Sequence, residues 1–519
     1  MTTAASTFKW AAALAALTVA LALPNRLDQL TAAALLRVPV ELPLLALFLV
    51  TMPHRLHRAV RAVAVVILTP VLVVKLADLA VFAAFARPFS PLVDTLMAPI
   101  AVETLAQTSG PWAAGAAVLA VAALVGLIAA GLNWSVRAVQ HAAPRAGLAW
   151  GAAATAAVAA LTPLGTARQS DAVREHATAL AQGLRAAATF RADLAALELD
   201  AGLTHGALTG LAGSDVLVIF VESYGRTSLD HPDYAPMLRA RLAAFDAALA
   251  DAGFAARSAW LTSPTYGGES YLAHSSFLSG LWIDDRQRYA HLLRSEARTL
   301  MHDFNQSGWR TVAVMPLITR PWPDADWFGY DIVYDAARLG YAGPSFGYVT
   351  MPDQFALSVF QRQELAPTDR KPVMAEIALI ASHIPWTPLP AFVPWDQLGD
   401  GAVFATARTQ ESSDAIWRDP RQLRQSYAKS LDYVLETLMS FVATYGRDDM
   451  LFIIVGDHQP MAFMADSTAR EVPVHVIARD PAVVAALGAG WTDGMQPDDA
   501  SPIHPMHTMR ARILHAFAD

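Results

Sequence analysis

The sequence predicts an α/β protein in two parts: a bundle of about five transmembrane helices over residues 1–165 and, over residues 214–519, a domain with a mostly parallel central sheet flanked by helices. Three observations carry this. Hydrophobic residues make up 54% of the 519-residue chain and charged ones only 16%, too oily for an ordinary soluble enzyme, and the excess sits at the front. Beyond residue 214, short β-branched apolar runs alternate with helical patterns, as strands joined by helical crossovers do. Several of these runs end abruptly in carboxylates, histidines or hydroxyls, and ligands collect at the carboxyl ends of parallel strands.

In chain order, five segments are apolar for about the 20 residues of helix that a bilayer requires: roughly 8–24, 33–52, 62–85, 112–132 and 146–164. The first also reads as a signal peptide with Lys9 as its basic flank, which leaves the rest unchanged. The second carries Arg37 and Glu41 at i, i+4 spacing, placed to pair or to lie at the interface. Basic loops follow the second and fourth spans: His54-Arg55-Leu56-His57-Arg58 with Arg61, and Arg137 with Arg145. The positive-inside rule puts these loops in the cytoplasm and the bulk of the chain outside. Lys75 and Asp78, one turn apart in the third span, read as a mutual pair facing other helices. The proline-rich segment 86–111 reads as an outer loop along the membrane surface.

Residues 166–213 turn to alanine with interspersed Arg, Glu and Asp, a solvated helical stalk or linker that ends at Gly210 and Gly213. In the domain beyond it, strands are expected at about 215–221, 311–315, 373–380, 450–455 and 473–477. Helices are expected near 235–251, 270–279, 295–307, 353–363, 421–445 and 505–517. Residues 1–165 hold ten Lys/Arg and five Asp/Glu, which leaves 28 and 41 of the chain's 38 and 46 for the remainder. So acidic a domain argues against a nucleic-acid partner, which calls for concentrated positive charge. With no cysteine there is no disulfide, thiolate metal site or cysteine nucleophile.

The chemistry gathers at three places. Val216 to Val221 runs into Glu222 and Ser223, and Leu451 to Gly456 runs into Asp457 and His458. Between them, Gly267 and Gly268 turn the chain into Ser270, the start of a short apolar helix that stops at Gly280, where a helix N-terminus favours negative charge. Glu222, Asp457 and His458 are donors suited to Mg²⁺, Mn²⁺ or Zn²⁺, with Ser270 as a further oxygen. One divalent metal held there would lower the pKa of the serine hydroxyl and make it a nucleophile near neutral pH. His383, after a third apolar run, is placed to bind a phosphoryl oxygen or protonate a leaving group, and Arg320, after a fourth, offers a fork for phosphate. His231, His274, His475, His504 and His507 read as structural.

Val-Glu-Ser at 221–223, Gly-Gly-Glu-Ser at 267–270 with Leu-Ser-Gly at 278–280, Ser-His-Ile-Pro at 382–385 and Gly-Asp-His at 456–458 together resemble the alkaline phosphatase and sulfatase superfamily. With membrane spans in front, the chain is most similar to the lipoteichoic acid synthase-like (phosphoglycerol transferase-like) branch. The motifs lie in the last 300 residues or so. The resemblance implies an extracytoplasmic alkaline phosphatase-like domain with Ser270 as catalytic nucleophile, ten residues before Gly280. It puts Glu222, Ser270, Asp457 and His458 on the metal and Arg320 and His383 near the substrate. The branch often uses threonine, which keeps Thr265 in play. Tyr271-Leu272-Ala273-His274 after Ser270 lacks the proline and arginine of a formylglycine motif, which disfavours sulfate esters. No Asp-x-x-x-His pair stands at a strand end, so one metal is expected.

The resemblance implies a membrane-anchored phosphotransferase of the cell (inner or cytoplasmic) membrane. Ser270 takes a headgroup phosphoryl unit from a lipid donor such as phosphatidylglycerol and passes it to an envelope glycan or lipid acceptor. A phosphodiesterase, phosphatase or sulfatase-like hydrolase with the same intermediate is the enzymatic alternative. A silent membrane sensor or scaffold is disfavoured by the intact ligand set.

Overall fold

The computed structural model describes residues 3–31, 37–85, 87–90, 94–141, 188–195, 208–211, 213–409 and 416–517, with residues 151, 154–155, 165–166, 174 and 178 between them. The chain divides into two compact units, Met1–Ala186 and Ala187–Asp519.

In the first unit, helices cover Thr3–Ala22, Glu41–Thr51, His57–Phe85, Ala98–Ser109 and Pro111–Gln140, and a two-residue parallel pair joins β1 (Val38–Pro39) to β2 (Gly165–Thr166). Among the described residues, two helices are long and apolar enough to cross a bilayer, His54–Phe85 and Pro111–Gln140; they are the third and fourth expected spans. The second is cut to the eleven residues Glu41–Thr51, because residue 37 lies in a bend and Pro39 in β1, so Arg37 and Glu41 do not share a helix. The fifth span, 146–164, and most of the stalk fall outside the described residues, although 188–195 are helical. The expected outer loop is helical over Ala98–Ser109. Lys75 and Asp78 are both buried and each has a backbone partner. Lys75 Nζ donates to the carbonyls of Leu21 (3.2 Å) and Leu23 (2.6 Å), and Asp78 Oδ1 accepts from the Phe89 amide at 2.8 Å. The lysine therefore caps the carbonyl end of the first helix, where a cation complements the helix dipole.

The second unit is a mixed α/β sheet with helices on both faces. Its strands are β3 (Asp215–Val221), β4 (Ala255–Thr262), β5 (Arg310–Met315), β6 (Ile332–Asp335), β7 (Val373–Leu379), β8 (Met450–Gly456), β9 (Glu471–Ala478), β10 (Thr492–Asp493) and β11 (Ile503–Pro505). Five of them form a parallel block in the order β8-β3-β7-β5-β6. β9 joins β8 antiparallel, β4 joins β9 antiparallel and so runs with the block again, and β10 and β11 both pair with β4. The five strands read from sequence are β3, β5, β7, β8 and β9. The long helices Ala235–Asp251 and Pro420–Tyr445 stand where the pattern put them, while the expected 295–307 helix is shortened to Leu300–Gln306.

Alternation along the strands sorts the core into two layers. Leu217, Ile219 and Val221 of β3 pack with Leu238, Leu242 and Phe245 of one long helix and Leu431, Val434 and Leu438 of the other. Val216, Val218 and Phe220 face the opposite way, with Leu451, Ile453 and Val455 of β8, onto Ala273, Phe277 and Leu278 of the helix Ser270–Ser279. Phe220 is paired in register with Val455. Two residues further on, Glu222 and Asp457 emerge side by side on the layer that carries the Ser270 helix.

Candidate active site

Ser270 is delivered by three successive residues in left-handed backbone: Gly267 at φ 71°, Gly268 at φ 149° and Glu269 at φ 60°. Glycine takes such angles freely. Glu269 does not, at a cost on the order of 1–3 kcal/mol, and it is held there by its own contacts. Arg286 Nε lies 3.0 Å from Glu269 Oε1, and the Tyr271 hydroxyl donates to the same oxygen at 3.3 Å. The Gly267 amide donates to the Gln459 carbonyl at 3.1 Å, which ties this turn to the segment just after His458.

The hydroxyl of Ser270 donates to Glu222 Oε2 at 3.0 Å and stands 3.1 Å from His458 Nε2. His458 Nε2 is 3.5 Å from Glu222 Oε1 and 3.6 Å from Asp457 Oδ2. One ligand atom each from Glu222, Asp457 and His458 fits within 4.8 Å of the others, and all three residues are buried. Each is also oriented by the chain around it. Asp457 Oδ1 accepts the amides of Ser223 (2.7 Å) and His458 (2.6 Å), which leaves Oδ2 toward the cluster. Ser223, at φ 56°, donates its hydroxyl to Glu222 Oε1 at 2.7 Å. His458 Nδ1 donates to the Gln459 carbonyl at 2.7 Å, which turns Nε2 to the cluster; in the neutral ring Nε2 carries the lone pair that a metal ligand needs.

Electrostatics separate the two carboxyls. Burial pushes Asp457 well above the usual carboxylate range, and the charge of Glu222 adds to the push. Burial acts upward on Glu222 too and is the largest single influence, but the fields of His458 and His383 and hydrogen bonds from Ser223 and Asp457 together outweigh it and bring it down to about 2. Packed carboxylates that divide in this way have an excess of negative field that a divalent cation would neutralise. Two carboxylates, an imidazole with a bare Nε2 and a hydroxyl fit such an ion.

The structure thus brings Glu222, Ser270, Asp457 and His458 into one cluster. His383 follows β7, with Nδ1 hydrogen-bonded to the Ile384 carbonyl at 2.7 Å and its ring stacked on Tyr348 at 4.6 Å between centroids. Arg320 is exposed on the loop after β5, on the same carboxyl edge of the sheet. The hydroxyls that rival Ser270 are directed elsewhere: Thr265 Oγ1 donates to the Gly268 carbonyl, and Ser263 Oγ to the Asp457 carbonyl at 2.6 Å.

Asp353 and Tyr348 carry no signal in the sequence pattern. Asp353, at the start of the helix Asp353–Phe360, reaches the far end of β7, where it accepts the amides of Ile380 (2.7 Å) and Ala381 (3.1 Å) and fixes the departure of the His383 loop. Burial carries its carboxyl up to about 7 despite these bonds. Between roughly pH 4 and 7 the unfolded chain gives up this proton and the folded chain keeps it, so stability falls as pH rises through that window, by about 1.4 kcal/mol per unit. Asp353→Asn keeps an acceptor oxygen, and its melting temperature is expected to lose that decline between pH 5 and 7. An unchanged slope would show that Asp353 is ionised in the fold.

No protein-family model matches the chain, and no curated protein does. Among solved structures it is similar to the lipoteichoic acid synthase LtaP from Listeria monocytogenes, at 13% identity over 52% of this chain and 66% of that one, with a TM-score of 0.36. It is similar to the phosphoglycerol transferase GacH from Streptococcus pyogenes in complex with sn-glycerol-1-phosphate, at 13% identity over 64% and 92% of the two chains and a TM-score of 0.38. It is also similar, at 11% identity over 61% and 69% of the chains and a TM-score of 0.37, to a Vibrio parahaemolyticus protein of the alkaline phosphatase superfamily, the superfamily that its motifs resemble.

Proposed function

We propose that the chain is a membrane-anchored, metal-dependent phosphotransferase of the alkaline phosphatase superfamily, using Ser270 as a covalent nucleophile on a lipid phosphodiester. The observation that carries this is the meeting of Ser270 Oγ with Glu222 Oε2 at 3.0 Å and His458 Nε2 at 3.1 Å, beside Asp457, at the carboxyl ends of β3 and β8. A cation on Glu222, Ser270, Asp457 and His458 would make the hydroxyl acidic and offset charge on the phosphoryl group. Ser270 Oγ releases its proton to solvent as it bonds to phosphorus, and the bond from phosphorus to the diacylglycerol oxygen breaks. His383, at the carboxyl end of β7, donates the proton that the leaving alkoxide needs. In the second half His383, now without that proton, takes one from the acceptor hydroxyl as its oxygen attacks the phosphoserine; the bond from phosphorus to Ser270 Oγ breaks, and the serine regains a proton from solvent. Arg320 supplies a fork for the phosphoryl oxygens from the loop after β5.

The donor proposed is phosphatidylglycerol or a lipid of the same headgroup chemistry, and the acceptor is a hydroxyl of an envelope glycan or lipid. Apolar helices in the first unit would hold such an enzyme at its donor. Vesicles containing headgroup-labelled phosphatidylglycerol are expected to leave label on the protein and then on an added acceptor. Label that passes only to water would make the enzyme a hydrolase, and a protein never labelled would overturn the reading.

The proposed site lies outside the cytoplasm, on the strength of the arginine-rich stretches at 54–61 and 137–145. A reporter active only after export is expected to work when fused beyond residue 170 and to fail near residue 58. The reverse pattern would remove an extracytoplasmic substrate from consideration.

A further inference from the structure

Beneath the cluster lies a second polar group that the proposed reaction leaves unused. His274 stands one helical turn after Ser270 on the same helix, so the two side chains share a face. Its ring lies flat on Phe220 of β3, 3.8 Å between centroids and 15° from parallel. Its Nδ1 is 2.7 Å from Glu376 Oε1, and the hydroxyl of Tyr330 donates to Glu376 Oε2. Glu376 sits in the middle of β7, in register with Val218 of β3 and Ala313 of β5, and is 1% exposed.

A carboxyl group in the centre of a parallel sheet is expensive to bury, and apolar residues of the same volume would fill the space without that cost. What the polar group provides is direction. Apolar contacts let a short helix slide or rotate on a sheet, whereas a carboxylate accepting from both His274 and Tyr330 admits one arrangement. Phe220, against which His274 rests, lies two residues before Glu222 on the same strand face. The field of His274 also reaches Asp457, where burial and then Glu222 push the carboxyl up and His274 opposes them.

We propose that His274, locked by Glu376 and Tyr330, is the positioning residue that sets the height and rotation of the Ser270 helix, and so the distance of Ser270 Oγ from Glu222 and His458. The inference rests on the reading of Ser270 as nucleophile.

The test uses the full chain in phosphatidylglycerol vesicles and two substitutions. His274→Phe keeps a ring on Phe220 but removes the donor. His274→Asn places an amide nitrogen close to where Nδ1 stood. His274→Phe is expected to lower the maximal rate of serine labelling about ten- to hundredfold, the scale of a misplacement near 1 Å, with KM within about twofold. His274→Asn is expected to recover most of that loss. Hydrogen exchange over residues 267–279 gives a readout independent of turnover, and is expected to quicken in His274→Phe and return toward wild type in His274→Asn. Tyr330→Phe, which removes one donor to Glu376 and spares the packing, should shift both readouts the same way by less. Equal rates and equal exchange in His274→Phe and His274→Asn would overturn the proposal, as would a change in KM alone. If the wild-type protein takes no label, the catalytic reading fails and the exchange measurements still decide the positioning role.

Discussion

Ser270→Ala is expected to abolish both turnover and phosphoryl labelling, a loss on the order of 10⁴-fold or more, as when other covalent nucleophiles are removed. Thr265→Ala is expected to keep a substantial rate. The contrast comes from where each hydroxyl points. Ser270 Oγ donates to Glu222 Oε2 within reach of His458, while Thr265 Oγ1 donates to the Gly268 carbonyl and holds the turn in front of Ser270. Loss of the Thr265 hydrogen bond should loosen that turn and slow the reaction in proportion to a typical net hydrogen bond, about 1 kcal/mol or roughly fivefold. Mass spectrometry of protein quenched during turnover locates the adduct. A phosphorylated Thr265 peptide beside an unmodified Ser270 peptide would falsify the assignment.

Asp457→Asn is expected to abolish the proposed binding of a divalent ion without unfolding the protein. The substitution keeps Oδ1 for the amides of Ser223 and His458, so the loop is still tied, and it removes only the charge at Oδ2. Metal affinity should fall by more than the roughly 10–100-fold that loss of an outer-shell partner costs, and activity should fall with it. The measurement is metal content per purified chain, wild type against variant, together with recovery of activity when metal is returned after chelation. Equal content in the two proteins would remove Asp457 from the ligand set, and two ions per wild-type chain would end the single-metal proposal.

Much of the sheet was legible because parallel strands buried on both faces are nearly continuous apolar runs. β3, β7 and β8 are bounded within a residue or two by the ends of those runs. β4 escaped because Ala-Ala-Arg-Ser-Ala-Trp-Leu-Thr carries Arg257, paired with Asp493, and a serine bonded to His475, which break the apolar signal. β6 is four residues long, too short to show a period. Within the candidate site, Glu222, Ser270, Asp457 and His458 announced themselves as polar residues at strand ends or after a glycine turn. Asp353 did not, because a carboxylate opening a helix already has a local explanation, and the amides it serves are 27 residues away. Glu376 was hidden for the opposite reason: its neighbours are apolar on both sides, and only the tertiary approach of His274 and Tyr330 gives it partners.

The alternation of β3 and β8 makes the sheet a measuring device for this cluster. Glu222 and Asp457 reach the Ser270 layer only because each lies an even number of residues beyond Phe220 and Val455. Deleting one residue from either strand would send its carboxylate through the sheet toward the opposite layer, among the side chains of the long helices, with the hydrophobic register lost along the way. Deleting two would restore the layer but draw the carboxylate back by about 7 Å, out of reach of Ser270. Helices and loops around such a sheet can lengthen or shorten freely, whereas the count from strand to ligand is fixed, so any diverged chain that keeps this chemistry should be aligned by counting along its strands rather than by matching its letters.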